Sequence, residues 1–345
     1  MDLDSSYFFQ PGAGSFDFAL PTRIIFGEGT VGRLASEVKK LGGSRVLVIT
    51  SAGMPGRQSF KELISTLQQA GIEYGVFTAI TPDPSIEDVE ACLKAAKSIK
   101  PDCVAGFGGG SALDVAKKVA MEINTPKIMI PTTAGSGSEV TYNSVIKVDG
   151  HKKTFSDARL AADAAIIDPD LLTTLPAAPM VCSALDAMSH AVESYGARRG
   201  NGLARSLALE AYLKLKNNIG RALAGEADGR RNITLGSLMA GMALTMTGTT
   251  LGHALSYPLS NQGIPHGQSL AMVLPYLLEI NRFDAGYAEE LKAFRRAYCV
   301  TQSISWNINE MAAEVAADER HLANNPVPVT LEDIVDIYTR IRDEG

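Results

Sequence analysis

Short apolar runs alternate with amphipathic stretches in the first half of the chain. Residues 45–50 (R-V-L-V-I-T), 74–78, 102–107, 127–131 and 164–168 have the length and β-branched content of strands. Between them, residues 31–41, 57–70, 85–99 and 112–123 carry apolar side chains at helical spacing. Ser85, followed by Glu87 and Asp88, suits an N-cap. Strands that are apolar throughout are buried on both faces, so this alternation predicts a parallel sheet covered by helices.

The texture changes after residue 168. Pro169, Pro176 and Pro179 punctuate the chain, and beyond them only helical patterns stand out, at 184–195, 203–218, 232–247 and 331–341. The pattern predicts an α/β domain over residues 1–175 and an all-α domain over 176–345. No internal repeat accompanies it.

Composition narrows the class. Apolar residues make up 46% of the 345 and charged residues 20%, so a sizeable core is available. A net charge of −6 argues against nucleic acid or an anionic membrane as a partner. Cys92, Cys103, Cys182 and Cys299 form neither a C-x-x-C pair nor a disulfide framework, which fits buried thiols in a reducing, cytoplasmic setting. The acidic start Met1-Asp2-Leu3-Asp4 is not that of a secretory leader. Residues 232–278 contain no Lys, Arg, Asp or Glu, yet their Gly, Thr and Ser content, two histidines, Pro258 and Pro265 favour buried helices over a membrane span.

Two glycine-rich turns compete for a phosphate. Gly27-Glu28-Gly29-Thr30-Val31-Gly32 fits G-x-G-x-x-G after a strand-like Ile24-Ile25-Phe26. The acid required at the end of the second strand is missing there, where Ile49-Thr50-Ser51 stands, so this is read as a tight turn. Gly108-Gly109-Gly110-Ser111 directly follows a strand and opens a helix, where crowded N–H groups and the helix dipole suit an anion. Pro131-Thr132-Thr133-Ala134-Gly135-Ser136-Gly137-Ser138-Glu139 also follows a strand. Two such loops at strand C-termini favour a dinucleotide.

A third group has the character of a metal site. Asp186 and His190 are four residues apart on a predicted helix, while His253 and His266 lie in the uncharged segment. One carboxylate and three imidazoles suit Fe(II) or Zn(II) with a position left for substrate. The other two histidines, His151 and His321, fall in polar, loop-like sequence.

With these motifs in order, the chain resembles the iron-containing (group III) metal-dependent alcohol dehydrogenase family. The likeness runs through Gly109-Gly110-Ser111 with Asp114 and Lys117, the loop 131–141, Asp168-Pro169, Asp186 with His190, and His253 with Pro265-His266-Gly267. It implies a Rossmann-like N-terminal domain and a helical catalytic domain, the dehydroquinate synthase-like architecture. It also implies an iron or zinc ion on Asp186, His190, His253 and His266. The NAD(P)(H) contacts it implies come from Ser51, Gly108, Gly109, Gly110, Ser111, Asp114, Thr132, Thr133, Ser136, Ser138, Thr141 and Lys152. A homodimer acting on a small aldehyde or alcohol is the expected form.

The chain departs from that pattern in three places. Ser51 stands where many members have an aspartate on the adenosine ribose, which leaves room for a 2′-phosphate and hence NADP(H). Tyr257 replaces a further histidine, so a proton-relay role passes to a tyrosine. The stretch between Leu278 and Asn324 is shorter than usual. Residues 193–199 and 249–259 look most like phosphonoacetaldehyde reductases, in which Arg198 and Arg199 would hold a dianionic substrate. Two rival classes remain: a dehydroquinate-synthase-like lyase or cyclase that restores NAD within each turnover, and a non-catalytic binding protein.

Overall fold

The computed structural model describes residues 15–298 and 304–344, which leaves Cys299 and the acidic start outside the described residues. Two compact units emerge: residues Ala19–Leu175 with Ala224–Thr234, and residues 15–18, 176–223 and 235–344. The units differ from a plain cut after residue 175 by two excursions, the first being that residues 15–18 group with the second unit. Residues 224–234 group with the α/β unit, where Arg231 forms an ion pair with Glu28 at 2.5 Å.

In the α/β unit six strands form one parallel sheet, β1 (Arg23–Phe26), β2 (Arg45–Ser51), β3 (Glu73–Ile80), β4 (Cys103–Gly108), β5 (Lys127–Pro131) and β8 (Ala164–Ile167), in the order β1-β8-β5-β4-β2-β3. Helices α1 (Leu34–Lys40), α2 (Gln58–Gln69), α3 (Ile86–Ile99) and α4 (Gly110–Glu122) connect them. Side-chain alternation divides the apolar strands between two cores. Val46, Val48, Cys103, Ala105 and Phe107 pack with α1 and α2, whereas Leu47, Ile49, Val104 and Met129 pack with α3 and α4. Ser85 caps α3 in a capping box with Asp88.

The strand order locates the ligand end of the sheet. From β2 the chain moves outward to β3; from β4 it moves the opposite way, to β5 and β8. The reversal leaves a crevice at the carboxyl ends of β2 and β4, the place where open α/β sheets receive ligands.

One element escapes the apolar reading. Strands β6 (Asn143–Val148) and β7 (His151–Ser156) form an antiparallel hairpin closed by Asp149-Gly150, both at positive φ. In β7 His151, Lys153, Thr154 and Ser156 are polar and exposed, and His151 lies on a strand rather than in a loop.

The second unit has helices and no strand among its described residues. It contains α5 (Ala177–Gly196), α6 (Gly202–Leu223), most of α7 (Ala227–Thr247), α8 (Leu251–Asn261), α9 (His266–Ile280), α10 (Ala288–Tyr298), α11 (Ile308–Ala316), α12 (Glu319–Asn324) and α13 (Leu331–Asp343). The uncharged segment forms α8, α9 and most of α7, with Leu251, Leu255, Leu270 and Leu274 wholly buried. No helix among the described residues is long and apolar enough to cross a membrane. Cys92 and Cys103 are buried, which pushes both thiols up to about 12; Cys182 is half-buried.

Candidate active site

In the helical unit the four residues read as metal ligands meet. Asp186 and His190 stand one turn apart on the buried face of α5. His253 comes from α8 and His266 is the first residue of α9. Ligand atoms of Asp186, His253 and His266 lie within 4.8 Å of one another. The Nε2 of His190 is 3.2 Å from the Nε2 of His253 and 3.5 Å from Oδ1 of Asp186.

The glycines beside two of the ligands explain the convergence. A Cβ on Gly252 would sit 2.9 Å from Leu277 and 3.1 Å from the Glu193 carboxyl; one on Gly267 would sit 2.8 Å from the Cys182 carbonyl oxygen. Only hydrogen fits there, so α8 and the start of α9 come close to α5 and carry His253 and His266 to Asp186.

Glu193, one turn beyond His190, fixes the orientation. Its Oε2 lies 2.5 Å from Nδ1 of His253, while Oε1 accepts from Thr250 N, Thr250 Oγ1 and His253 N. Burial pushes the Glu193 carboxyl up, but His253 and the Thr250 amide outweigh it and hold the group down at about 2. An ionised carboxylate accepts only, so Nδ1 of His253 carries the proton and Nε2 presents a lone pair to Asp186 and His190. The Oδ1 of Asp186 is buried and accepts no hydrogen bond. A buried anionic oxygen among imidazole nitrogens, with one histidine fixed in the ligating tautomer, fits a divalent cation.

The α/β unit brings the two predicted loops together at the ends of β4 and β5. Thr132 N–H donates to the Gly108 carbonyl at 2.9 Å, and a Cβ on Gly110 would meet Ser136 at 3.0 Å. Gly109, Gly110, Ser111, Thr133, Ser136 and, at the end of β2, Ser51 remain partly exposed around this crevice. Other expected contacts are engaged elsewhere. Asp114 accepts from Ser138 Oγ at 2.5 Å and from Val145 N at 3.0 Å, and it pairs with Lys117. The buried Lys117 ammonium donates to the Ser138 and Asn143 carbonyls and to Thr141 Oγ1. Asp114, Ser138 and Thr141 therefore brace the loop from behind. Lys152 pairs with Asp83 at 2.8 Å.

The turn at residues 27–32 is closed to phosphate. Asp168 accepts the N–H groups of Gly29 at 3.1 Å and Val31 at 2.9 Å, so a carboxylate already occupies the anion's place. This agrees with the missing acid noted in the sequence.

The remaining assignments divide. The Arg198 guanidinium donates to the main-chain carbonyls of Asn325 and Pro326, which ties the end of α5 to that segment. That engagement gives Arg198 a structural part at this end of the helix, and its side chain is exposed. Arg199 stays exposed. Tyr257 lies one turn beyond His253 on α8, and burial pushes its hydroxyl well above the ordinary tyrosine value. His321, set aside in the sequence, packs edge-on against the Tyr257 ring at 5.6 Å. Sequence reasoning missed Glu193 as the residue that orients His253, and it passed over the Asp318–His321 pair. Their signals were the carboxylate three residues after His190 and the Asp318-x-x-His321 spacing.

Comparison with known proteins bears on the same residues. Residues 21–169 match the family described as iron-containing alcohol dehydrogenase, and residues 180–301 match the C-terminal family of the same enzymes. The chain is 32% identical to long-chain-alcohol dehydrogenase 1 of Geobacillus thermodenitrificans, over 92% of this chain and 95% of that one. The fold superposes on the iron-containing alcohol dehydrogenase of Thermotoga maritima with a TM-score of 0.82 at 28% identity, covering 95% and 99% of the two chains. It superposes on the sulfoacetaldehyde reductase of Bifidobacterium kashiwanohense in complex with NAD+ with a TM-score of 0.87 at 25% identity, again over 95% and 99%.

Proposed function

From the premise that this chain belongs to the iron-containing alcohol dehydrogenase family, we propose that it catalyses reversible hydride transfer between a nicotinamide dinucleotide and a small alcohol or aldehyde. The observation that carries the reading is the buried, unsatisfied Asp186 oxygen set among His190, His253 and His266. These four residues would hold an iron(II) or zinc(II) ion. When bound, the ion supplies Lewis acidity at the carbonyl oxygen and the reduced dinucleotide supplies the hydride.

The chain's own part is placement and polarity. Glu193 keeps the His253 ring turned with Nε2 inward and neutralises the charge gathered there. The first turn of α4, with Gly109, Gly110 and Ser111, offers N–H groups to a pyrophosphate, and Thr133 and Ser136 supply hydroxyls beside it. Ser51 at the end of β2 puts a neutral hydroxyl where an acid would repel a 2′-phosphate, which supports use of NADPH as well as NADH. Oxidation of both dinucleotides would be followed with a panel of small aldehydes, with metal content measured alongside. Net dinucleotide consumption supports a reductase; none with any aldehyde returns the chain to the lyase or cyclase class. A strong NADH preference unchanged in Ser51→Asp would refute the Ser51 reading.

The finer substrate reading is an aldehyde that carries an anion, phosphonoacetaldehyde in particular. Its support is the exposed Arg199 at the end of α5 and the likeness to a sulfoacetaldehyde reductase, whose named substrate also pairs an aldehyde with an anion. A charge-assisted bond of about 1.5–3 kcal/mol predicts a loss of roughly ten- to a hundredfold in kcat/KM for phosphonoacetaldehyde in Arg199→Ala. Propionaldehyde should be unaffected. Equal losses for both aldehydes would make Arg199 structural.

A further inference from the structure

Beside the metal-ligand cluster the helical unit holds a second polar constellation. His321, on α12, places Nδ1 2.6 Å from Oδ2 of Asp318 and Nε2 2.9 Å from Oγ1 of Thr249. Its ring stands edge-on to Tyr257. Thr249 and Tyr257 lie four residues before and four after His253. Thr250, adjoining Thr249, is fixed through both N and Oγ1 to the Glu193 that orients His253. Asn324, at the end of α12, donates to the carbonyls of Thr247 and Thr249, so α12 and the loop before α8 are tied at two levels. Thr249, Tyr257 and His321 are partly exposed, whereas Glu193 and His253 are buried.

An imidazole oriented by a carboxylate on one nitrogen and joined to a hydroxyl on the other is the arrangement of a group that holds and passes a proton. We propose that His321, positioned by Asp318, is the proton reservoir for the reduction and acts through the Thr249 hydroxyl, in the role the sequence gave to Tyr257. The proposal rests on the reductase reading above. Reduction of an aldehyde adds a hydride at carbon and a proton at oxygen. Thr249 gives its hydroxyl proton toward the product oxygen and takes the Nε2 proton of the His321 imidazolium. The neutral imidazole keeps its Nδ1 proton toward Asp318 and is recharged from solvent; alcohol oxidation runs the same path backward. Asp318 remains ionised throughout. Burial pushes its carboxyl up, but the His321 hydrogen bond outweighs this and holds the group below the ordinary aspartate value. The other charged or titratable groups here are Arg320 on the same helix, the neutral Tyr257 on α8 and, on Tyr257, Glu193 of α5.

The test compares the metal-loaded wild type with His321→Ala, Thr249→Val and the double variant, reading metal content, kcat and KM against pH, and rescue by added imidazole. His321→Ala should keep its metal and KM, lose roughly a hundredfold in kcat, flatten the pH dependence of kcat for reduction, and recover in part with imidazole. Thr249→Val should lose a similar amount without imidazole rescue, and the double variant should be no worse than either single one. The NMR signals of the His321 ring should move in metal-free Thr249→Val, which removes the hydroxyl beside Nε2. A wild type without aldehyde reduction would refute the reductase reading. An active wild type whose His321→Ala variant keeps kcat within twofold and its pH profile, or falls with loss of metal and without rescue, would overturn the relay alone. Should His321→Ala fail to fold, Thr249→Val decides by the same readings: kcat within twofold overturns the relay.

Discussion

His253 and His321 are held by the same device and end in different company. Each faces a carboxylate through Nδ1, Glu193 at 2.5 Å for the first and Asp318 at 2.6 Å for the second. Glu193 is wholly buried, and the Nε2 it turns inward faces Asp186 and a second imidazole. Asp318 keeps 25% of its side chain exposed and His321 keeps 12%, and the Nε2 there meets a hydroxyl. A carboxylate on Nδ1 leaves Nε2 as the reactive atom in both rings. Burial then decides what that atom is for. Deep among other lone pairs it calls for a cation; near water, on a hydroxyl, it can exchange a proton.

The harshest way to break this contrast is to remove the buried ring. His253→Ala takes away a ligand and leaves Glu193 buried without its partner. Metal measured by atomic absorption should fall to background, and activity should drop on the order of a thousandfold or more, the several kcal/mol that Lewis acidity supplies. Retained metal and turnover would end the four-ligand assignment. Next is Glu193→Gln, which keeps the shape but no longer fixes the tautomer. Competition with a chelator should show metal bound roughly ten- to a hundredfold more weakly; unchanged affinity would reduce Glu193 to a cap on α8.

Asp318→Asn is the matched change at the other histidine. Here kcat should fall about tenfold with metal affinity unaltered. If chelator competition instead resembled that of Glu193→Gln, the two pairs would be one unit and the contrast would collapse. The mildest test alters no residue. Zinc added to metal-free protein should move the NMR signals of His190, His253 and His266 and leave that of His321 in place.

Much of this was readable in the chain because burial leaves a strong mark on sequence. Strands covered on both faces carry little charge, so β2, β4 and β5 appeared as apolar runs with a basic residue only at the first position of β2 and β5, and histidines in an uncharged segment required a buried purpose. The hairpin β6–β7 was missed because its strands are polar at most positions, although Asp149-Gly150 between Val148 and His151 was a hairpin signal. Glu193 and Asp318 were missed for a related reason. A carboxylate three residues from a histidine on a helix has the spacing of any solvated ion pair, and only the fold reveals which one is buried. The Gly27–Gly32 turn was read correctly from an absence, but the Asp168 carboxylate that fills it lies about 140 residues away, beyond the range of a local motif.

The brace behind the loop after β5 also has a consequence for binding kinetics. Lys117, Asp114 and the Ser138 hydroxyl fix the loop through its own backbone, Lys117 being wholly buried. A ligand arriving at this end of the sheet meets a preorganised surface. The conformational entropy of ordering the loop, about 0.5–1.5 kcal/mol for each immobilised side chain, is settled at folding rather than at encounter. Association there should proceed in one step without a slow isomerisation phase, and affinity should be governed by residence time. Stopped-flow traces of dinucleotide binding would then be single exponentials, and loosening the brace with Lys117→Met would be expected to add a second, slower phase.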